Sequence, residues 1–191
     1  SDSAGGWVAH VDGVHNYALV QRYPVSKLGD YPEQGVRAVL RAVGTQPCLE
    51  IALLSVVRNL QSGDSVELTT DWFATRVGGP IRDCTEVAAL REPLKLERKE
   101  GKLRLTGLLG VFAPGNVALI QQDGGGQALG QPVLLKVSPA DEVKLDKELP
   151  EESTARKLVV ELQNDAGTPL GIIGALDMGA TVARASAPAD K

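Results

Sequence analysis

Residues 94–122 read LKLERKEGKLRLTGLLGVFAPGNVALIQQ, and their pattern indicates the fold class. Apolar and polar residues alternate on both sides of Glu100-Gly101, as they do in two half-buried strands joined by a hairpin turn. Similar pairs of segments flank the glycine-rich turn at 123–130 and the turn Asn164–Gly167. The candidate strands are Leu94–Arg98, Lys102–Val111, Asn116–Gln122, Gln131–Val137, Lys157–Gln163 and Leu170–Met178. This density of short strands predicts a mainly β, antiparallel sandwich or jelly roll.

The composition is that of a folded protein. Of 191 residues, 43% are hydrophobic and 23% charged, which excludes a disordered chain. Together with the strand pattern, this predicts a single mainly β domain over 1–191. We expect a flexible C-terminal tail at 184–191. Apolar runs such as Ile51–Leu54 fall far short of the ~18 residues that cross a bilayer, so we expect no membrane span. No charged and apolar leader is visible, so the chain is expected to be cytosolic, already processed or released from a precursor, with a virion, extracellular or periplasmic location favoured over the cytoplasm.

The negative charge is concentrated in one segment. Residues 138–152 carry six acids against Lys144 and Lys147, a local balance of −4 that equals the net charge of the whole chain. This segment is predicted to be an acidic loop or short helix. No basic arm is present, so the phosphate attraction that drives most nucleic-acid binding has no source and nucleic acid is not an expected partner.

Residues 30–62 are ambiguous between helix and strand. Asp30 and Glu33 have capping-box spacing, and a helical stripe follows, which predicts a short helix there. The stripe consists of Val36, Val39, Leu40 and Val43. Cys48–Leu60 fits a helix by one spacing, whereas Leu49, Ile51 and Leu53 also alternate as in a strand. The sequence therefore predicts one or two short helices near 30–62 and leaves the structure of 48–60 open.

The histidines and cysteines give two further candidate sites. A two-residue type I′ turn at Asp12-Gly13 would place His10 directly opposite His15, where the pair could clip a transition metal or simply lie on the exposed face of a hairpin. Cys48 and Cys84 lack the CxxC spacing of a metal site. They either form a disulfide in an oxidising compartment or are both buried as small hydrophobic residues, and their spacing leaves both alternatives open.

The order and spacing of the strands resemble those of single jelly-roll coat proteins of small icosahedral plant viruses, the tymovirus type in particular. The segments that carry this resemblance are Leu49–Val57, Val66–Ala74, Gly78–Ile81, Pro93-Leu94 and the strand pair within Lys157–Val182. The resemblance implies a capsid-type subunit whose edges and loops bury apolar surface between identical copies.

A competing resemblance is to ribonuclease H-like domains of reverse-transcribing elements, which have an α/β fold. The matching residues are Asp2 before Gly5-Gly6-Trp7, Leu49-Glu50 with Ala52, Ser65–Asp71, Gly78-Gly79 and Ala113–Asn116. The resemblance implies that Asp2, Glu50 and Asp71 hold two Mg²⁺ or Mn²⁺ ions and that the chain cleaves an RNA-DNA hybrid. It requires Glu50 to lie early on a helix.

No complete catalytic apparatus is recognisable in the sequence. We therefore expect a non-catalytic structural or binding β-domain without a cofactor, acting through self-association as a homo-oligomer or through a protein partner. Four aromatic residues could anchor such a contact, although aromatic residues also serve as core. They are Trp7, Tyr17, Trp72 and Phe73.

Overall fold

The computed structural model describes residues 5–26, 29–43, 48–99 and 102–178. Within these ranges the chain has thirteen strands and one short helical turn. The strands of the N-terminal part are β1 (Gly5–Asp12), β2 (Tyr17–Pro24), β3 (Ala38–Val43), β4 (Cys48–Leu53) and β5 (Asp71–Arg76), with α1 (Pro32–Gly35) between β2 and β3. The later strands are β6 (Asp83–Cys84), β7 (Ala88–Lys99), β8 (Lys102–Val111), β9 (Gly115–Gln122), β10 (Ala128–Val137), β11 (Val143–Pro150), β12 (Lys157–Gln163) and β13 (Pro169–Asp177). The predicted mainly β, antiparallel architecture is confirmed.

The described residues fall into two compact units. The first holds the residues up to His10 together with Leu19–Phe73, and the second holds Val11–Ala18 and the residues from Ala74 onward. Strands β1, β2 and β5 form a three-stranded sheet in the order β1-β2-β5, and β3 pairs with β4 alone in a two-stranded antiparallel ribbon. The predicted tail at 184–191 lies outside the described residues, and the single domain over 1–191 stays a prediction.

Two four-stranded sheets of the second unit share one hydrophobic core. Their strand orders are β11-β8-β7-β6 and β10-β9-β12-β13. Alternate residues of β8 point inward, so Leu103, Leu105 and Leu109 are buried while Arg104 lies exposed on the opposite face. Inward residues of the other strands complete the core, among them Leu145, Leu149, Val117, Leu119, Leu158, Val160 and Leu162. This shared core is that of two sheets packed in a sandwich, and the finer jelly-roll arrangement stays a prediction.

The helix predicted between residues 30 and 43 is wrong except for one turn. Only Pro32–Gly35 is helical, and Glu33 and Gln34 within it have left-handed φ angles of 51° and 64°. The apolar residues that were interpreted as a helical stripe lie on β3 or just before it. Residues Ala38–Val43 form a strand because β4 pairs with them, with Leu40 opposite Ile51. The hydrogen-bond partners come from β4, and the local spacing of apolar residues does not reveal them.

The segment 48–60 resolves as strand β4 followed by irregular backbone. No part of it is helical. The α/β alternative required a helix that carries Glu50, and Glu50 instead lies on β4 directly opposite Arg41.

The predicted acidic loop or helix at 138–152 is also wrong over most of its length. Val143–Pro150 forms β11, which pairs with β8 without a break in register. Leu145 and Leu149 are buried at strand spacing, and this burial outweighs the charges between them, which an edge strand can leave in water.

Candidate interaction surface

The β3–β4 ribbon has one apolar face. Residues directly opposite each other in an antiparallel pair point to the same side, and the register pairs Leu40 with Ile51 and Ala38 with Leu53. Leu49 lies on the same side as Ile51 because strand residues two apart share a face. Leu40 and Leu49 are 53% and 41% exposed. We call Ala38, Leu40, Leu49, Ile51 and Leu53 the ribbon face.

The other face of the ribbon carries its charges. Arg41 and Glu50 are directly opposite each other and both are exposed. Opposite charges in this cross-strand position favour the pairing of β3 with β4. At the base of the ribbon, the Arg37 guanidinium lies 5.3 Å from the centre of the Tyr31 ring. The ribbon therefore carries its charges on one side, together with half-buried Val39 and Ala52, and has an uncharged apolar side that is only partly covered.

The backbone after β4 is irregular and has exposed apolar side chains. Leu54 N–H donates to the Arg37 carbonyl and Val57 N–H to the Asp30 carbonyl, each at 2.8 Å. From there to β5 the chain leaves several large apolar side chains in water. They are Val57, Leu60, Val66, Leu68 and, at the start of β5, Trp72, which is 62% exposed.

No side chain described between residues 29 and 73 is buried. This contrasts with the second unit, where the two sheets enclose their apolar residues in a common core. Covering a leucine or isoleucine completely is worth about 1.5–3 kcal/mol, so a surface that covered the ribbon face would gain substantial free energy. Large exposed apolar patches are a feature of interaction sites, which makes the ribbon face a candidate interaction surface.

The sheet β11-β8-β7-β6 presents a charged outer face. Arg104 makes two hydrogen bonds to Asp146, at 2.9 and 3.0 Å, and Lys102 lies 3.4 Å from Glu148. The Arg104 hydrogen bond lowers the pKa of Asp146, and the same pairing raises the pKa of Arg104. These groups are well solvated and give no sign of a buried reaction centre.

A cleft of about 410 Å³ opens between the edge strands β10 and β11. Its walls include the apolar Leu135, Val137 and Leu145 and the charged Lys147. Lys147 lies on the same side of β11 as buried Leu145 and Leu149 but is itself exposed, and it forms no ion pair within the described part of the chain. A lysine on an edge strand hinders the pairing of that strand with another chain.

The structure does not assemble the carboxylate site from the described residues. Asp2 lies outside them, Glu50 is exposed on β4, and Asp71 is exposed as the first residue of β5. No group of three or more metal-ligating side chains is found in the described ranges. The two-metal reaction therefore stays a prediction without geometric support.

The predicted type I′ turn and the His10–His15 pairing are wrong. The loop comprises Gly13–Asn16, and the Asp12 carboxylate accepts the Val14 N–H at 2.8 Å and contacts His15 Nδ1 at 2.7 Å. His15 thus lies in the loop rather than opposite His10, which is exposed on β1. The Asp12 carboxylate accepts a backbone N–H of the loop in place of a backbone carbonyl oxygen. This favours the longer loop Gly13–Asn16 over a two-residue turn.

Of the two cysteines, only Cys84 has a described side chain. It is buried, and its thiol donates to the Thr85 carbonyl at 3.4 Å. The side chain of Cys48 lies outside the described set, so its pairing with Cys84 stays a prediction.

The four aromatic candidates differ in exposure. Trp72 is the most exposed, and its Nε1 donates to Thr70 Oγ1 at 3.0 Å. Tyr17 is 43% exposed and stacks under Arg76, whereas Trp7 and Phe73 are half-buried. Sequence reasoning did not identify the ribbon face, although the alternation of Leu49, Ile51 and Leu53 was its available signal.

Comparison of the chain with protein-family models, with curated proteins and with solved structures finds no match. Among the described residues, no helix has the length and hydropathy needed to cross a membrane.

Proposed function

We propose that the protein is a non-catalytic structural or binding β-domain that works by self-association, and that its copies meet at the β3–β4 ribbon. The observation that carries the proposal is the exposed ribbon face in a segment, 29–73, in which none of the described side chains is buried. A second copy is the occupant we infer, because a two-fold axis brings the same patch of two identical chains together, so that each ribbon face can cover the other.

The dimensions of the ribbon bound the strength of this contact. Two strands of six residues cover roughly 10 by 20 Å, or about 200 Å², from the usual strand spacing and rise. A standard interface buries about 800 Å² per partner. The ribbon alone therefore supports weak association, and the exposed apolar residues that follow it, such as Val57 and Leu60, would have to contribute for a stable assembly. A capsid-type role is the finer form of the proposal and requires closed particles.

Sedimentation velocity over a range of protein concentrations tests the proposal. We expect the weight-average mass of the wild type to rise with concentration. The double variant Leu40→Asp, Leu49→Asp should remain monomeric, because each aspartate would have to be desolvated on association, which weakens binding by about tenfold or more per site.

Val14→Asp is the matched control. Val14 is 82% exposed in the Gly13–Asn16 loop, outside the ribbon, so the same chemical change should leave self-association at the wild-type level. Far-UV circular dichroism should show the same β content in all three proteins. A wild type that stays monomeric at high micromolar concentration, or one that cleaves an RNA-DNA hybrid with Mg²⁺ and loses this activity in Asp71→Asn, would overturn the proposal.

A further inference from the structure

The margin of the sandwich between the edge strands β10 and β11 is only partly filled. Inner-face residues of the central strands, such as Leu105 of β8 and Val160 of β12, are completely buried. At this margin Leu135 of β10 and Val143 of β11 pack against the same core but are only half-buried. Apolar surface that continues the core therefore reaches solvent along the cleft between these strands.

The cleft has the size and the lining of a small-molecule site. Such sites measure about 300–1,000 Å³ and are lined mainly by apolar side chains with a few polar groups. This cleft measures about 410 Å³. Along β11 its lining runs from Val143 and Leu145 to Lys147, which lies about 13 Å from Val143 at the usual rise of a strand. An elongated apolar wall thus ends at a cation.

Lys147 leaves β11 on the side of the core. It lies directly opposite Leu105 of β8, which is completely buried, and directly opposite residues point to the same face of a sheet. Lys147 is nevertheless exposed, because the long aliphatic stem of lysine can cover apolar surface while its ammonium group stays in water. The positive charge therefore lies at the rim of the apolar cleft.

The carboxylates nearest to Lys147 in the sequence are engaged elsewhere. Asp146 and Glu148 lie on the opposite face of β11, where each is paired with a basic residue of β8. Glu142, in the loop before β11, accepts the Gly78 N–H at 3.0 Å. No carboxylate within the described ranges forms an ion pair with Lys147.

Lys147 is also the lysine of the lining best placed for an anion. Lys136 is paired with Asp165, and Lys144 lies on the outer face of β11. Asp141 belongs to the loop before β11, at the end of the β11 lining opposite to Lys147. A negative charge at the Lys147 end would therefore meet a cation without a competing acid beside it on the inner face.

We propose that this cleft binds a medium-chain fatty acid, with its carboxylate at Lys147 and its alkyl chain along Leu145, Val143 and Leu135. The carboxylate supplies the counter-charge that Lys147 lacks, in a charge-assisted hydrogen bond. The chain covers side chains that are now half-buried, so each methylene it buries should raise the affinity by up to about fourfold. The cleft belongs wholly to the second unit, so this inference goes beyond self-association at the ribbon and does not depend on it.

Titration of the isotope-labelled full chain with decanoate, followed by nuclear magnetic resonance, tests the site. We expect saturable shifts of amides in β10 and β11. The affinity should fall from decanoate to octanoate to hexanoate, by about two- to fourfold per methylene. Decanol and decylammonium have the same alkyl chain without the negative charge, so they should bind roughly fivefold or more weakly than decanoate.

Substitution of Lys147 tests the role of its charge. Lys147→Gln keeps much of the aliphatic stem and removes the charge, so it should weaken decanoate binding roughly fivefold or more, whereas Lys147→Arg should keep most of the affinity. Lys102→Gln is the matched control. Lys102 is an exposed lysine at the start of the neighbouring strand β8, where it pairs with Glu148 on the outer face, and its loss should leave decanoate binding unchanged.

Several results would overturn the inference. They are the absence of saturable decanoate binding at millimolar concentration, equal affinity in Lys147→Gln and the wild type, and tighter binding of decylammonium, which would assign the cleft to a cationic ligand. Shifts confined to the ribbon would place the bound chain outside the cleft. If Lys147→Gln does not fold, nuclear Overhauser contacts from decanoate to methyl groups of Leu135 and Val143 in the wild type test the same site, and their absence in a saturated sample would overturn it.

Discussion

Thr75 occupies the space above Gly110 that any larger residue at 110 would need. A Cβ at Gly110 would lie 2.9 Å from Thr75 Cγ2 and closer still to its hydroxyl, and 3.1 Å from the Arg76 carbonyl oxygen. Thr75 is completely buried, and its Oγ1 has no hydrogen-bond partner among the described residues. The tight packing therefore leaves the Thr75 hydroxyl buried without a hydrogen-bond partner among the described residues.

Replacing Thr75 by valine should stabilise the protein. The substitution keeps the branched shape and removes a polar atom that is buried without a partner, for which the cost is about 1–3 kcal/mol. We expect the free energy of unfolding, measured by urea denaturation, to rise by about 1 kcal/mol. Thr106→Val, on the half-buried outer face of β8, should change it much less. A loss of stability in Thr75→Val would show that the hydroxyl has a partner.

The substitution Gly110→Ala should destabilise the protein by about 1–3 kcal/mol, because it overpacks the contact with Thr75. Combining it with Thr75→Ala should recover part of this cost, since the smaller side chain makes room for the new methyl group. The nearby Arg76 carbonyl remains and prevents full recovery. A double-mutant cycle measures the coupling, and additive effects would contradict the contact.

The second half of the chain could be predicted from the sequence because local pattern and tertiary pairing agree there. The candidate strands Lys102–Val111 and Lys157–Gln163 coincide with β8 and β12, and their hairpin partners are the predicted neighbours. Alternate apolar residues of these strands face the core, so their spacing identifies the strands from sequence alone.

The prediction failed where a tertiary partner decides the local structure. Residues 36–43 fit a helix by spacing, and only the pairing of Ala38–Val43 with Cys48–Leu53 makes this part of the chain a strand. Charge misled the prediction for β11, because an edge strand tolerates charges that a central strand would not. The ribbon face could not be predicted, since a sequence pattern shows that a face is apolar but not whether the folded chain covers it.

Titration of Asp146 tests the charged outer face. Its pKa is lowered from 3.8 chiefly by the hydrogen bonds from Arg104. Because the folded-state pKa lies below the unfolded value, the pairing adds stability above pH 3.8 and loses it as the pH falls through the folded value. A carboxyl carbon titration by nuclear magnetic resonance should give a midpoint below 3.8, and Arg104→Gln should raise it. An unchanged midpoint in this variant would remove Arg104 as the cause.

The corrected hairpin loop gives a second titration. The pKa of Asp12 is lowered first by its hydrogen bond with His15 and then by the Val14 N–H. His15→Ala should therefore raise the Asp12 midpoint toward 3.8, while the backbone contribution keeps it from reaching that value. Substituting His10, which lies on β1, should leave the midpoint unchanged. An equal response to both substitutions would contradict the separate positions of the two histidines.

Amide hydrogen exchange tests whether the low burial of the described residues between 29 and 73 is linked to self-association. Opening of a strand costs less free energy when it buries little apolar surface, so amides of β3 and β4 should exchange much faster than those of β8, β9 and β12 in dilute solution. Contact between copies at the ribbon would protect its amides, and their exchange should slow as the protein concentration rises. The amides of β8 lie between two strands and within the core, so they should show no such dependence.

Leu49→Asp should abolish the concentration dependence in β4 and leave β8 unaffected. Protection in β4 that equals that of β8 at every concentration would mean that the ribbon is already covered within one copy, and the contact between copies would then have to lie elsewhere.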